Sequence, residues 1–329
     1  MAKFIIKRIL QTIPVLLLVI LLVSALLAMA PGDPAVTVIG VNATQEEIDR
    51  FNEMHDLDKP FFERYFLYIY NIVAHGDFGT SYIGNRNVLD VLKSAFPVTL
   101  QLVLLATVFM VVIGIPLGVI SAYKQYSIFD NIAQALSIAG VSIPGFWLAL
   151  MLMQTFAVNM KVLPVSGWDG FDTMIMPAIT VGLSGAASMM RITRSSMLDV
   201  IRQDYIRTAR AKGQKEIVVV VHHMLRNSLL PIITVLGTTM GRLFGGCMAV
   251  ETIFSIPGLS RQLISSIYSR DYPVVQGAVL LIAFICVVLN LLSDILYALV
   301  DPRIKSQFQG ERKKRIKHGE NGLAGGTAA

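Results

Sequence analysis

Long apolar stretches alternate with polar segments along the 329-residue chain. A helix needs about 20 mostly apolar residues to cross the hydrocarbon core of a membrane. Five stretches meet this requirement: 9–30, 98–120, 132–158, 228–250 and 274–300. Segment 174–190 is shorter and rich in small residues, which let neighbouring helices approach closely. We therefore predict an all-α membrane protein with six transmembrane helices, in which 174–190 packs inside the bundle. A core helix outside the membrane is the alternative for that segment.

The first span has a second interpretation. Lys3, Lys7 and Arg8 precede it, and it ends in "AMA" (28–30), as a secretory signal peptide does. Its apolar run is longer than the roughly 7–15 residues usual in a signal peptide. We therefore predict a helix that is retained in the membrane.

The composition also indicates lipid as the solvent. Hydrophobic residues make up 54% of the chain and charged residues 15%, against about 25% charged in soluble domains. With a cytoplasmic N-terminus, the segments predicted inside carry 19 of the 28 lysines and arginines, and those predicted outside carry 8. Such a bias is the orientation signal of membrane proteins. It places both termini in the cytoplasm, and the net charge of +6 requires no nucleic-acid partner.

The spans divide the chain into four regions: 1–30, the cytoplasmic end and first span; 31–97, an external region; 98–300, a five-span core with a cytoplasmic loop at 191–227; and 301–329, a cytoplasmic tail.

Two external segments have patterns of their own. In 31–97, Thr44 and Glu47 have the spacing of a helix capping box. The aromatic residues at 61–70 fit either the membrane interface or a packing face within this region. Segment 251–273 is too polar to span, and we expect it to dip against the external mouth of the bundle.

Polar residues in or near the spans usually face the bundle interior, a partner or water. Four residues are therefore candidates for lining a polar path through the membrane: Arg242, Glu251, Asn290 and Asp294. A structural pair of Arg242 with Asp294 is an equal alternative. Pro144 and Gly145 interrupt span 132–158, and we expect a simple kink there rather than a ligand site.

The chain offers little that would support catalysis or metal binding. "GLSG" (182–185) matches the G-x-S-G of an intramembrane serine protease, which makes a hydrolase with Ser184 as nucleophile the alternative from another class. A nucleophilic serine needs a base, and no histidine lies in a predicted span. The cysteines have no metal-ligand spacing, and no phosphate-binding P-loop occurs. We predict no catalytic residue and no metal ligand.

"YIRTARAKG" (205–213) predicts a short helix exposed to the cytoplasm. Asp204 can act as its N-cap, and Gly213 can end it in the left-handed conformation. The small residues Ala209, Ala211 and Gly213 would leave the backbone accessible to another protein. Tyr205 and Ile206 would offer apolar anchors to it, and Arg207, Arg210 and Lys212 would offer charge to an acidic rim. The predicted docking residues are Asp204, Tyr205, Ile206, Arg207, Thr208, Ala209, Arg210, Ala211, Lys212 and Gly213. The spacing alone leaves a plain loop helix equally open.

This stretch, together with "RNSLLPIITVLG" (226–237), resembles the EAA loop of the membrane subunits of binding-protein-dependent ABC importers. The short helix of that loop is a coupling helix, which docks into a groove of a cytoplasmic ATPase. Ala209, Gly213 and "LLP" (229–231) match the family pattern, whereas Thr208 stands where many members have alanine.

Over about residues 1–305 the chain is similar to the B-type permease subunit of peptide and nickel importers. The matching stretches include "PGDP" (31–34), "GDFGTS" (76–81), "SIPGFWLAL" (142–150), "RITRSSMLDVIRQDYIRTARAKG" (191–213), "ETIFSIPGLSRQL" (251–263) and "DPRI" (301–304).

The resemblance implies the type I ABC importer permease fold in a bacterial inner membrane. It implies import of di- or oligopeptides, with nickel, a metal chelate or glutathione as alternatives. The implied partners are a second, homologous permease, two ABC ATPases that bind ATP and Mg, and an external substrate-binding protein that docks on 31–97 and 251–273. The chain itself is expected to be no enzyme and to bind no cofactor.

Overall fold

The computed structural model describes residues 2–300, and the regular elements in this part are helices. In chain order the helices are α1 (Ala2–Met29), α2 (Pro34–Ile39), α3 (Gln45–Met54), α4 (Phe61–His75), α5 (Val88–Tyr123), α6 (Ile128–Ser142), α7 (Gly145–Leu152), α8 (Phe171–Ile201), α9 (Asp204–Ala211), α10 (Glu216–Val218), α11 (Arg226–Ile253), α12 (Leu259–Tyr268) and α13 (Tyr272–Val300). Two π-helical segments, Met153–Asn159 and Val219–Leu225, continue α7 and α10. The predicted tail 301–329 lies outside the described residues.

The helices confirm the predicted all-α membrane class. Within the described residues, five segments are long and apolar enough to span a membrane: Leu10–Met29, Val88–Tyr123, Phe171–Ile201, Glu216–Ile253 and Tyr272–Ser293. A sixth candidate combines α6 with α7 and its π-helical continuation, bent by 103° at the break. The prediction of a simple kink at Pro144 and Gly145 is therefore wrong, because the span is broken into two helices there. The helix stops at Ser142 because Ile143, which precedes Pro144, is extended.

The centre of the bundle is the close contact between α5 and α8. A side chain on Gly114 would lie 2.7 Å from the carbonyl oxygen of Ala186, and one on Gly182 would lie 2.8 Å from that of Ala106. Only glycine permits these approaches, because no other residue lacks a Cβ atom. The most apolar stretch of α8 is more deeply buried in the bundle than the corresponding stretch of any other span among the described residues. The prediction that 174–190 packs inside the bundle is confirmed.

The region between α1 and α5 folds into three short helices. The predicted capping box is present, with the Thr44 amide donating to Glu47 Oε2 at 2.8 Å. On α4, Phe62, Phe66 and Tyr70 are each at least 60% exposed and share one face. On another side of this helix, the Tyr65 hydroxyl donates to the carbonyl of Leu17 within α1 at 3.1 Å. An exposed aromatic stripe beside a membrane span favours the interface interpretation of this helix.

Candidate functional site

The predicted cytoplasmic helix is present as α9, two residues after the long α8 ends. Its N-terminus differs from the prediction. Gln203 is the N-cap and its side chain makes no capping bond, whereas Asp204 is the first helical residue. The Asp204 carboxylate is 97% exposed and lies 3.8 Å from the Arg207 guanidinium. An acidic side chain in the first turn still stabilises the helix through the helix dipole.

The C-terminal end of α9 is built as the sequence predicts. Gly213 has φ +73°, and its amide donates to the carbonyl of Arg210 at 2.9 Å. Arg210 itself is tied down, because its Nη2 lies 2.7 Å from Glu216 Oε1. This ion pair closes the turn between α9 and α10. Arg210 therefore holds the loop in shape, which differs from its predicted role as a free charge for a partner.

One face of α9 is turned into the protein. Ile206 is fully buried and Ala209 is 7% exposed. Both pack in a cluster with Met197 of α8 and with Val219 and Met224 of the π-helical segment. The expectations that Ile206 anchors a partner and that Ala209 lies bare toward one were wrong. Residues three apart lie on the same helix face, and in α9 that face meets the chain's own core.

The opposite face of α9 is exposed, and we call it the docking face. It consists of Asp204, Tyr205, Arg207, Thr208, Ala211 and Lys212. Three aliphatic side chains beyond the next turn are also exposed: Ile217 at 67%, Val221 at 52% and Val218 at 41%. The sequence analysis missed these three, although the run "IVVVV" (217–221) is a signal for them in a cytoplasmic loop. The exposed residues combine two cations and one carboxylate with small and apolar groups.

A buried ion pair fixes the end of α8 that leads to α9. Arg194 donates through Nε and Nη2 to the two carboxylate oxygens of Asp130, at 2.7 and 2.8 Å. The Asp130 side chain is fully buried, and it also accepts from the Ser121 hydroxyl and the Tyr126 amide. The pair joins α8 to the corner between α5 and α6. Sequence reasoning missed it, because 64 residues separate its members.

The candidates for a polar path take different positions. Arg242 is exposed and donates to Thr239 Oγ1 at 3.2 Å, and Asn290 on α13 is exposed. The side chain of Asp294 lies outside the described part of the structure, so its pair with Arg242 stays a prediction. Glu251 is fully buried and accepts from the Thr99 hydroxyl at 2.6 Å and the Arg261 amide at 2.8 Å. It therefore anchors segment 251–273 and does not line an open path.

Arg242 belongs to an uncovered face of α11, which we call the α11 face. Five exposed residues follow one another at intervals of three or four: Thr238, Arg242, Gly245, Ala249 and Thr252. A side chain on Gly245 would meet nothing within 4 Å. The face is small and polar although it lies in a segment apolar enough to span the membrane. Lipid contact would be unfavourable for its arginine.

The alternative of an enzyme finds no support in the geometry. Ser184 is exposed, and Gly182 and Gly185 beside it pack against α5. The described residues contain no group of three or more His, Cys, Asp or Glu side chains placed to hold a metal ion.

Comparison with known proteins gives two family matches. Residues 114–306 match the binding-protein-dependent transport system inner membrane component, and residues 1–103 match the N-terminal part of such membrane components. Similar curated proteins include the glutathione transport system permease protein GsiC of Escherichia coli (strain K12) and of Shigella dysenteriae serotype 1 (strain Sd197). Each is 40% identical over 305 residues, which is 93% of this chain and 99% of the relative.

The fold is also found among solved structures. Two crystal forms of the inward-facing MetNI methionine ABC transporter match with TM-scores of 0.55 and 0.53, at 18% and 19% identity. The matches cover 65% and 64% of this chain, and 97% and 96% of the matched chains.

Proposed function

The chain belongs to the family of binding-protein-dependent transport system inner membrane components, and on this premise we propose that it carries short peptides across the membrane. It is the permease subunit of an ABC importer, and a non-catalytic one. Its system includes an ATPase and a substrate-binding protein. The peptide assignment is supported by the relatives named for glutathione, a tripeptide, at 40% identity over nearly their whole length. Nickel, a metal chelate or glutathione itself is the alternative cargo.

The docking face of α9 is proposed as the contact with an ATPase subunit. The observation that carries this role is the division of α9 into two faces. Ile206 and Ala209 secure the helix to the chain, and the opposite face stands free with Arg207, Ala211 and Lys212. ATP and Mg bind on the ATPase, and movement of the ATPase is transmitted through α9 to α8. The Arg194–Asp130 pair makes α8 and the α5–α6 corner move together.

The α11 face is proposed to line the path for the solute, together with a second, homologous permease. Arg242 requires water or a protein partner, because an ionisable side chain within a membrane span usually faces the bundle interior, a partner or a water-filled cavity. Two ATPase subunits, one below each permease, complete the proposed assembly.

The proposed orientation follows from the charge bias. The N-terminus, α9 and the tail 301–329 lie in the cytoplasm, and 31–97 and 251–273 lie outside, where the binding protein docks. Under this assignment, 98–300 forms the core of the permease. The anchored Glu251 supports the placement of 251–273 as a fixed wall at the external mouth.

Uptake into proteoliposomes tests the cargo. The chain is reconstituted with its partner permease, ATPases and loaded binding protein, and uptake of Ala-Ala, glutathione and Ni²⁺ is compared. ATP-dependent uptake of Ala-Ala, lost when the P-loop lysine of the ATPases is replaced, is expected. Uptake of glutathione or Ni²⁺ without uptake of Ala-Ala would contradict the proposal.

A further inference from the structure

Helix α4 has its polar side chains on the side that faces the rest of the chain. Arg64, Tyr68 and Asn71 lie four and three residues apart, so they share one face of the helix. All three are partly buried, and the Tyr68 hydroxyl is enclosed by the protein. Arg64 reaches back to the carbonyl of Leu57 at 3.4 Å, and Asn71 borders the cavity between α4 and the start of α13. The polar side of α4 is therefore turned inward.

The other side of α4 is apolar and uncovered. Phe62, Phe66 and Val73 follow one another at helical spacing and are exposed, and Tyr70 beside them is exposed as well. We call these four residues the α4 stripe. A helix at a boundary between protein and water has the reverse arrangement, with its apolar residues inward and its polar residues outward. The reversed pattern indicates that the medium outside the α4 stripe is apolar.

The neighbouring helix α1 identifies this medium as lipid. The Tyr65 hydroxyl, between the two faces of α4, donates to the carbonyl of Leu17 at 3.1 Å. Leu17 lies inside the span Leu10–Met29, whose most apolar stretch is 11% buried, a lower share than in any other span among the described residues. Leu18 and Leu22 of this helix are exposed. In an inner membrane component such a helix borders the bilayer, and α4 lies against it.

The composition of the α4 stripe fits the boundary between lipid headgroups and acyl chains. Aromatic rings are enriched at this depth, and helices that lie in the membrane plane bury their apolar face there by about 5–10 Å. Glu63 lies about a quarter of a turn from Phe62 and is exposed, so its carboxylate can reach water while the rings lie in lipid.

We propose that α4 is an in-plane membrane helix, and that the α4 stripe inserts into the leaflet around the C-terminal half of α1. The region 31–97 is thereby held against the membrane surface at α4. A second permease or the binding protein could instead cover an apolar face, and a test must separate lipid from water and from protein.

Spin labels on the assembled importer make this separation. With Cys247 and Cys286 replaced by alanine, a nitroxide is attached to Phe66→Cys or to Val73→Cys, a second position of the stripe. The labelled chain is assembled in nanodiscs with its partner permease and ATPases, and loaded binding protein is added. Collisions of the label with oxygen, which concentrates in lipid, are compared with collisions with a water-soluble nickel chelate. Leu22→Cys is the matched reference for lipid and Arg50→Cys, exposed on α3, the reference for water.

The α4 stripe should give a ratio of oxygen to nickel collisions that matches Leu22→Cys and exceeds that of Arg50→Cys. A ratio like that of Arg50→Cys at either stripe position would overturn the proposal, because the stripe would then face water. Few collisions with both reagents would also overturn it, because a protein partner would then cover the stripe. The labels report surroundings and not transport, so failed peptide uptake leaves this result unaffected.

Discussion

The carboxylate of Glu251 occupies the space that a side chain on Gly258 would need. A Cβ atom on Gly258 would lie 2.3 Å from the Glu251 carboxyl carbon. The same carboxylate accepts from Thr99 on α5 and from the Arg261 amide in the first turn of α12. Thr99 in turn accepts the Leu259 amide at 2.7 Å. A single buried acid thus joins α5, the end of α11 and the start of α12.

Gly258→Ala should destabilise the segment around α12. The backbone of Gly258 has φ −93°, which alanine adopts without strain, so the effect isolates the collision with Glu251. Overpacking of this kind costs about 1–3 kcal/mol. Thermal unfolding of the purified chain should show the lower stability. Gly145→Ala is the matched control, because a side chain there meets nothing within 4 Å, and an equal loss in both variants would contradict the account.

Arg194→Ala should destabilise the chain strongly. It leaves the fully buried Asp130 carboxylate without its cation, a change that typically costs about 3–5 kcal/mol. Arg194→Lys should rescue only in part, because lysine cannot form the two parallel hydrogen bonds. Unfolding in a denaturant series measures both variants. Arg191→Ala removes an exposed arginine from the same helix and should have little effect, so a similar loss there would refute a special role for the pair.

The stability of the region around α3 should depend on pH through His55. Burial lowers the pKa of the His55 imidazole, and the carboxylates of Asp271 and Asp56 oppose this effect. The unfolded chain then binds a proton more readily than the folded chain. Stability is complete above the ordinary value of about 6.5 and is lost as the pH falls from there through the folded pKa. Hydrogen exchange of α3 at pH 7.5 and 5.5 measures this loss, which should shrink in His55→Gln. An unchanged loss in that variant would assign the effect to other groups.

The orientation can be tested with single cysteines. With Cys247 and Cys286 replaced by alanine, one cysteine is placed at Asn42, between α2 and α3, and another at Lys215, between α9 and α10. Both positions are exposed. In intact spheroplasts an impermeant thiol reagent should label position 42 and spare position 215 until the membrane is opened. Labelling of both before opening would contradict the proposed topology.

The features that the sequence predicts correctly are long apolar runs and motifs whose residues lie close together in sequence. The apolar runs are long enough to identify most spans, and the Thr44–Glu47 box and the Gly213 turn depend on residues close in sequence. The break at Pro144 was underestimated, because the sequence indicates a proline but not how far the chain turns there.

The errors concern contacts between distant segments. Ile206 and Ala209 face inward because Met197 and Val219 cover them, and a short basic helix does not reveal in isolation which face is covered. The Arg194–Asp130 pair and the bonds of Glu251 likewise join residues far apart in sequence. The docking face could therefore be placed on α9 from sequence, but its individual residues could not.

ATP hydrolysis by the assembled importer, with one glutamate placed on either face of α9, tests the central claim most directly. Ala209→Glu puts a charge into the chain's own core, so the permease should be destabilised and recovered in low yield. Ala211→Glu changes the exposed face while helix propensity stays high. This permease should fold and pair normally but lose bound ATPase, or lose stimulation by loaded binding protein, since an unpaired charge in an interface costs about 2–5 kcal/mol. Full ATPase content and full stimulation in Ala211→Glu would contradict the claim that α9 is the coupling helix.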